Sequence, residues 1–264
     1  PVFVDIGEDL NINADLIAEA MTPKTRVILP VHWGGLPCDM AKIMEIADQN
    51  GVSVIEDAAQ AFGSHINGAM TGSFGQVNCF SMNPMKIFNA YGDAGAVVTD
   101  DDSLYEKLVS LRYGGTGDKE DCHYPSVNAR LDTVQAAMLL VGLRKLDDKI
   151  AHRRMIAEFY SQALDDAVIC LKQKDGYFSV FSEYTIIAED RDRLMDHLTS
   201  QGIETKIHHP ILMPYHTAYK HLPKPNIPVA EHLVSRILSI PSHENVTMEE
   251  TDYVAQCIRE FYER

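Results

Sequence analysis

The feature that most constrains this chain is an alternation that runs from its start to about Thr99: short apolar runs of strand length, separated by stretches whose apolar residues recur at helical spacing. Parallel strands need a crossover between them, most often a helix, so the pattern argues for a parallel sheet covered by helices. Val2 to Val4 and Arg26 to Leu29 are the first strand-like runs, and Ala14 to Ala20 reads as a helix that stops before Pro23. Asp39 can cap a helix carrying Met40, Ile43, Met44 and Ala47, which Asn50-Gly51 ends. Val52 to Ile55 is the next buried strand, Asn67-Gly68 a tight turn, and Val77 to Ser81 another strand. Ala96 to Thr99 follows the Gly92-Asp93-Ala94-Gly95 turn, giving a sheet built by short crossovers.

The pattern then changes. Leu104, Leu108 and Leu111 mark a helix after possible caps Asp101 and Asp102. The Gly114 to Asp118 loop behind it follows a helix instead of a strand, so it reads as a mobile connector and not as a phosphate cradle. From Asp132 to about Leu164 helical periodicity is almost unbroken, which predicts a long or kinked element. A strand at Phe178 to Ile187, a helix at Arg191 to Ser200 and a strand at Ile203 to Ile207 come next. Thr247 and Glu250 form a capping box for a closing helix with Tyr253, Val254, Ile258 and Phe261. The fold class is therefore α/β, with a large domain over 1–150 and a smaller α+β domain over 151–264.

Composition narrows the function classes. A formal net charge of -15 disfavours nucleic acid and anionic membrane surfaces as partners, although local charges can still hold a small anion. No apolar run approaches membrane-spanning length, which predicts a soluble protein. Cys38, Cys79, Cys122, Cys170 and Cys257 are scattered, with no metal-ligand spacing, and read as reduced cytosolic thiols; no metal is expected. The sequence opens on Pro1-Val2-Phe3-Val4-Asp5, inside an expected strand and without methionine, so the natural protein is expected to be longer at its N-terminus.

Ligands of open α/β sheets bind outside the carboxyl ends of the strands, which singles out polar residues that end apolar runs. One run ends in Glu56-Asp57, and another ends at Ser81 with Lys86 five residues on. A lone strand-end Asp is more often a cap, and a lone Lys a solvated charge. Together they are the two protein groups that pyridoxal 5'-phosphate catalysis requires: a carboxylate that keeps the pyridine nitrogen protonated, and an amine that can form an imine and carry a proton.

At these residues the sequence resembles the sugar aminotransferases named after DegT, DnrJ, EryC and StrS, of the fold type I class of pyridoxal phosphate enzymes. The matching segments are VILPVHWGGLPCDM, VIEDAAQAFGS, CFSMNPMKIFNAYGDAGAVVT, VNARLDTVQAAML and GIETKIHHP, in that order over nearly the whole chain. The resemblance implies that Lys86 is the Schiff base lysine, that Asp57 pairs with the pyridinium nitrogen, that Gln60 approaches the ring hydroxyl and that Ser81 binds the phosphate. It implies that Asn128 reaches the cofactor of a neighbouring subunit, making a homodimer with shared sites, and that Arg130 touches ligand or orients its loop. It further implies transfer of an amino group, with glutamate as donor, to a keto sugar nucleotide in the cytoplasm.

The departures bear on substrate choice. Met82 stands where an aromatic is usual, Ser126 and Val127 where glycine is, GDAG replaces GDGG, and His209 takes the place of a tyrosine. The family's N-terminal segment, with its ring-stacking aromatic, has no counterpart here. His32 either lines the site or packs at a sheet edge, and His208 and His209 before Pro210 could form a rigid loop alone. Competing readings are a cyclitol aminotransferase, a non-catalytic pyridoxal phosphate-binding sensor, and the family's dehydratase branch, which Lys86 argues against because that branch carries histidine there. A nicotinamide domain lacks its GxGxxG.

Overall fold

A computed structural model of the protein describes residues 1–117 and 121–263. In chain order α1 (Ile17–Ala20), β1 (Val27–Ile28), α2 (Met40–Asn50) and β2 (Ser53–Asp57) precede a hairpin of β3 (His65–Ile66) and β4 (Ala69–Met70), then β5 (Val77–Ser81) and β6 (Gly95–Val98). The main sheet runs β1-β2-β5-β6, with β1, β2 and β5 parallel. Local chemistry sets the elements as expected. Asp39 Oδ1 accepts from the Lys42 N–H at 3.3 Å, and Gly51 closes α2 at φ 62°. Met40, Ile43 and Ala47 are fully buried against Ile28 and Val54. Burial of each of the two larger side chains contributes about 1.5–3 kcal/mol. Asn67 and Gly68, both at positive φ, make the tight turn between β3 and β4.

The last strand departs from the expected crossovers. β6 pairs antiparallel with β5, Ser81 opposite Gly95, so the thirteen-residue connection between them doubles back at the sheet end instead of crossing a face. Strand periodicity carries no direction, which is why the sequence did not distinguish the two arrangements.

Past β6 come α3 (Asp102–Arg112), α4 (Thr133–Leu143), α5 (Leu146–Ala163), β7 (Ile169–Cys170), β8 (Tyr177–Phe178), β9 (Tyr184–Ile187), α6 (Arg191–Ser200), α7 (Pro228–Leu233), β10 (Ile237–Ile240) and α8 (Met248–Tyr262). The long helical stretch is broken at Arg144 and Lys145 into α4 and α5. α5 serves two cores: Leu146 and Ile150 pack with Met82, Ile87 and Phe88, whereas Ile156, Ala157 and Tyr160 pack with β9, β10, α6 and α8. The capping box of α8 forms as expected, with both Thr247 and Glu250 bonded. In the glycine loop, Gly114 N–H donates to Val127 O and Gly115 N–H to Ser110 O, while Asp118 lies outside the described residues.

Three expected strands are corrected. Val2 to Val4 has no ladder partner among the described residues; the segment leads to Asp5, whose carboxylate instead accepts from the Val229 and Ala230 N–H groups at the start of α7. Phe178 to Ile187 is split where Phe181 enters the left-handed region at φ 46°, so β8 joins β3 and β9 joins β10 in another sheet. Ile203 to Ile207 makes a single bridge, Lys206 with Ser239, and Pro210 just beyond has no N–H with which to extend a ladder. Among the described residues no helix is long and apolar enough to cross a membrane, and no group of three acidic, histidine or cysteine side chains could hold a metal. The five cysteines are unpaired.

Candidate active site

β2 ends on two carboxylates that its alternation sends to opposite faces. Glu56 shares the buried face with Val54 and is fully enclosed. Its oxygens accept from the Gly72, Phe74 and Gly75 N–H groups at 2.8, 2.6 and 2.8 Å. His32 supplies a further bond, Nε2 to Glu56 Oε2 at 3.0 Å. Because the Cys38 N–H donates to His32 Nδ1, that nitrogen is an acceptor and the proton resides on Nε2. Burial pushes the Glu56 carboxyl up, but the bonds from His32, Gly75 and Gly72 outweigh it and hold the group below its ordinary range. His32 therefore does not line a ligand site: it is 0% exposed, with both ring nitrogens committed to the core.

Asp57 takes the other face. Its Oδ1 accepts from Ala59 N–H at 3.0 Å, which orients the carboxylate at the strand end. The neighbouring strand carries Cys79 in register with Asp57, and Ser81 two residues further on the same side. Burial and the Asp57 charge together raise the Cys79 thiol.

Lys86 sits on the connection that returns to β6. The loop is pulled down by Ile87 and Phe88, which are 2% and 7% exposed, and by Met82 and Ala90. Hydrogen bonds pin it further: Lys86 N–H to Asn83 O, Ala90 N–H to Met82 O, Asn83 Nδ2 to Asp93 Oδ1 at 3.1 Å, and Tyr91 N–H to Gln135 Oε1 at 2.9 Å. Among the described residues no carboxylate stands within ion-pairing distance of its ammonium. Its charge is felt at Glu183, His208 and His209.

Gln60 lies just past β2, bonded through Oε1 to Gly34 N–H at 2.7 Å and through Nε2 to Glu183 Oε1 at 3.2 Å. His209 faces the Trp33 ring at 5.0 Å between centroids. Burial first, and then the charges of Lys86, His216 and Lys206, lower its pKa. His208 is lowered to about 4 by burial and by Lys206, His209 and Lys86. The structure thus places Asp57 and Ser81 at the ends of adjacent strands, Gln60 and Lys86 on the connections that follow those strands, and the His208-His209 segment within reach of the Lys86 charge. Asn128 and Arg130 stand apart on an exposed loop: Arg130 Nε donates to Asn128 Oδ1 at 3.2 Å and its guanidinium covers Tyr113 at 4.7 Å. Sequence reasoning gave no role to Glu183, which is remote in the chain and lies in none of the matching segments, or to Gln135, which lies within the VNARLDTVQAAML segment and bonds the Tyr91 N–H.

Residues 1–259 match the DegT/DnrJ/EryC1/StrS aminotransferase family. The chain is 39% identical, over 99% of its length and 72% of the relative's, to a "Pleiotropic regulatory protein" of Geobacillus stearothermophilus. It is 38% identical, over 98% of its length and 71% of the relative's, to a UDP-N-acetyl-3-dehydro-alpha-D-glucosamine 3-aminotransferase of Acidithiobacillus ferrooxidans. Among solved structures it resembles S. venezuelae DesV in complex with a ketimine intermediate, at 35% identity and TM-score 0.96, over 100% of this chain and 72% of that one.

Proposed function

The chain belongs to the DegT/DnrJ/EryC1/StrS aminotransferase family and is an aminotransferase, and from that premise we propose that it moves an amino group from glutamate to a keto sugar nucleotide, in the cytoplasm, with pyridoxal 5'-phosphate held at Lys86. The observation that carries this reading is the placement of Asp57 and Ser81 at the ends of adjacent parallel strands, with Lys86 on the fastened loop between β5 and β6. The donor set fits the cofactor. Asp57 Oδ1 is occupied by Ala59, which leaves Oδ2 for a ring N–H; Ser81 offers a hydroxyl to a phosphate; and Lys86 has no competing carboxylate among the described residues. When bound, the cofactor supplies a carbonyl for amine exchange and a ring that accepts electrons as a substrate proton leaves. The remaining roles belong to the chain. The Asp57 carboxylate keeps a proton on the ring nitrogen, Ser81 Oγ and Gln60 Nε2 orient polar edges, and Lys86 Nζ takes up and returns the migrating proton.

The proposal includes a homodimer with shared sites. α4 leaves Val134, Met138 and Val141 at 59%, 39% and 58% exposure, an apolar face that a second copy would cover, and Asn128 precedes it on its exposed loop. Refolding Lys86→Ala together with an inactive Asn128 variant is expected to restore part of the activity in mixed dimers; mixed dimers without recovery would refute the sharing.

The test of the whole reading is borohydride reduction of the cofactor-loaded protein, followed by peptide mapping and a screen of keto sugar nucleotides with glutamate. The adduct is expected on Lys86 and an amino sugar nucleotide among the products. An adduct on another lysine refutes the site. The name of the Geobacillus relative favours a second, regulatory reading. It predicts the Lys86 adduct with no turnover of any sugar nucleotide or cyclitol.

A further inference from the structure

Between Gln60 and the His208-His209 segment stands one carboxyl group with no assigned role. Gly34, at φ 59°, points its N–H at Gln60 Oε1, and an N–H can only donate. That contact fixes which end of the Gln60 amide is oxygen and turns Nε2 toward Glu183 Oε1. Glu183 Oε2 is buried, has no hydrogen-bond partner among the described residues, and lies 3.6 Å from His208 Nε2. The backbone around it is anchored independently. Glu183 N–H donates to Gly34 O at 3.3 Å, and Arg153, itself bonded to Glu244, donates to Ser182 O at 2.9 Å.

We propose that Glu183 is a positioning residue of the amino-transfer site, holding the Gln60 amide through its Oε1. The proposal rests on the reading of Gln60 as a cofactor-facing residue, but the clamp is a property of this chain and is measurable without cofactor. Gly34 alone is a single-point contact that leaves the amide free to swing. The second contact, to Glu183, makes the amide plane fixed, so that the remaining Nε2 hydrogen has one direction. The electrostatic setting agrees. Burial raises the Glu183 carboxyl, which Lys86, Lys206 and Arg153 only partly offset, and the neighbouring imidazole is held neutral at pH 7. Glu183 thus acts through the bonds it makes, which an uncharged acceptor can imitate.

The test is amide hydrogen exchange of Gly34, followed by NMR in cofactor-free protein, in Glu183→Ala, Glu183→Gln, Gln60→Ala and the Gln60→Ala/Glu183→Ala pair. Glu183→Ala is expected to speed Gly34 exchange about tenfold, the effect of releasing an acceptor that one hydrogen bond had held. Glu183→Gln keeps an oxygen for Gln60 Nε2 and should stay within about threefold of the wild type. In the Gln60→Ala background the Glu183 change should add nothing further. Unchanged Gly34 exchange in Glu183→Ala, equal acceleration in Glu183→Gln, or an additive double variant would each overturn the proposal. In loaded enzyme kcat should follow the same order, falling in Glu183→Ala and recovering in Glu183→Gln, with KM little changed. Absence of a Lys86 adduct would refute the cofactor reading while leaving the exchange result to decide on Glu183.

Discussion

Replacing Glu56 by glutamine removes one charge and almost no volume, and it should unfold the protein at a markedly lower temperature. A glutamine can keep one oxygen toward the Phe74 and Gly75 N–H groups, but its NH2 then faces the Gly72 N–H and the His32 Nε2–H. His32 cannot relieve the clash by moving its proton, because Nδ1 already accepts from Cys38. Two hydrogen bonds to a charged group are lost in a fully enclosed place, at about 1.5–3 kcal/mol each, so the cost is about 3–6 kcal/mol. With a total stability of about 5–15 kcal/mol and about 2–4 °C per kcal/mol for a chain of this size, Tm should fall by about 6–24 °C. Thermal unfolding followed by circular dichroism reads this directly. The pH dependence adds a check of sign. A carboxyl held below its ordinary 4.5 contributes stability that is fully present above that pH and is lost as pH falls through the folded-state value. The gap between wild type and variant should therefore narrow in acid. A fall of less than about 2 °C at pH 7, well under the loss of a single such bond, would refute the reasoning.

Other outcomes follow from the same geometry. Asp57→Asn should fold and bind cofactor yet transfer amino groups at least about a hundredfold more slowly, because an unprotonated ring is a poor electron sink; a loss within about tenfold, or 1.4 kcal/mol, would make the carboxylate structural. Glu244, bound by Lys149 and Arg153 at 3.0 and 2.7 Å, has its pKa lowered to about 2 although burial opposes the shift. Its ionisation should contribute about 1–2 kcal/mol above pH 4.5 after screening and lose most of it as pH falls toward 2. Equal Tm gaps between wild type and Glu244→Gln at pH 7 and pH 3 would contradict that.

What was legible in the sequence was local. The Asp39 and Gly51 ends of α2, the Asn67-Gly68 turn and the capping box of α8 are each written within a few residues, and each formed. Asp57, Ser81 and Lys86 were visible for the same reason, since each stands at or just past the end of an apolar run. What was not legible depends on partners distant in the chain. Val2 to Val4 has strand composition but no ladder neighbour among the described residues, Ile203 to Ile207 pairs only at Lys206 with Ser239, and β6 takes its direction from β5. His32, which follows a strand, could be read either as lining the site or as packing at a sheet edge; only the distant Glu56 and the Cys38 N–H show it to be a core histidine. Glu183 was invisible by the same logic, lying 123 residues from the glutamine it holds.

A chain of net charge -15 must still attract an anionic ligand if it handles sugar nucleotides, and the imidazoles near Lys86 report how. Burial is the first cause of the lowered values at His208 and His209, but Lys206 and Lys86 push both in the same direction. Glu183 records the opposite side of that field, since the charges of Lys86, Lys206 and Arg153 all favour its ionised form against burial. The contribution of these lysine and arginine charges to the local potential is positive, whatever the sum over the surface, although burial still leaves the Glu183 carboxyl raised. Long-range repulsion of nucleic acid and anionic membrane is set by that sum and screened beyond about 10 Å, whereas a phosphate in the site responds to the nearby lysines. The same charge arrangement can therefore turn away large polyanions and still hold a small one.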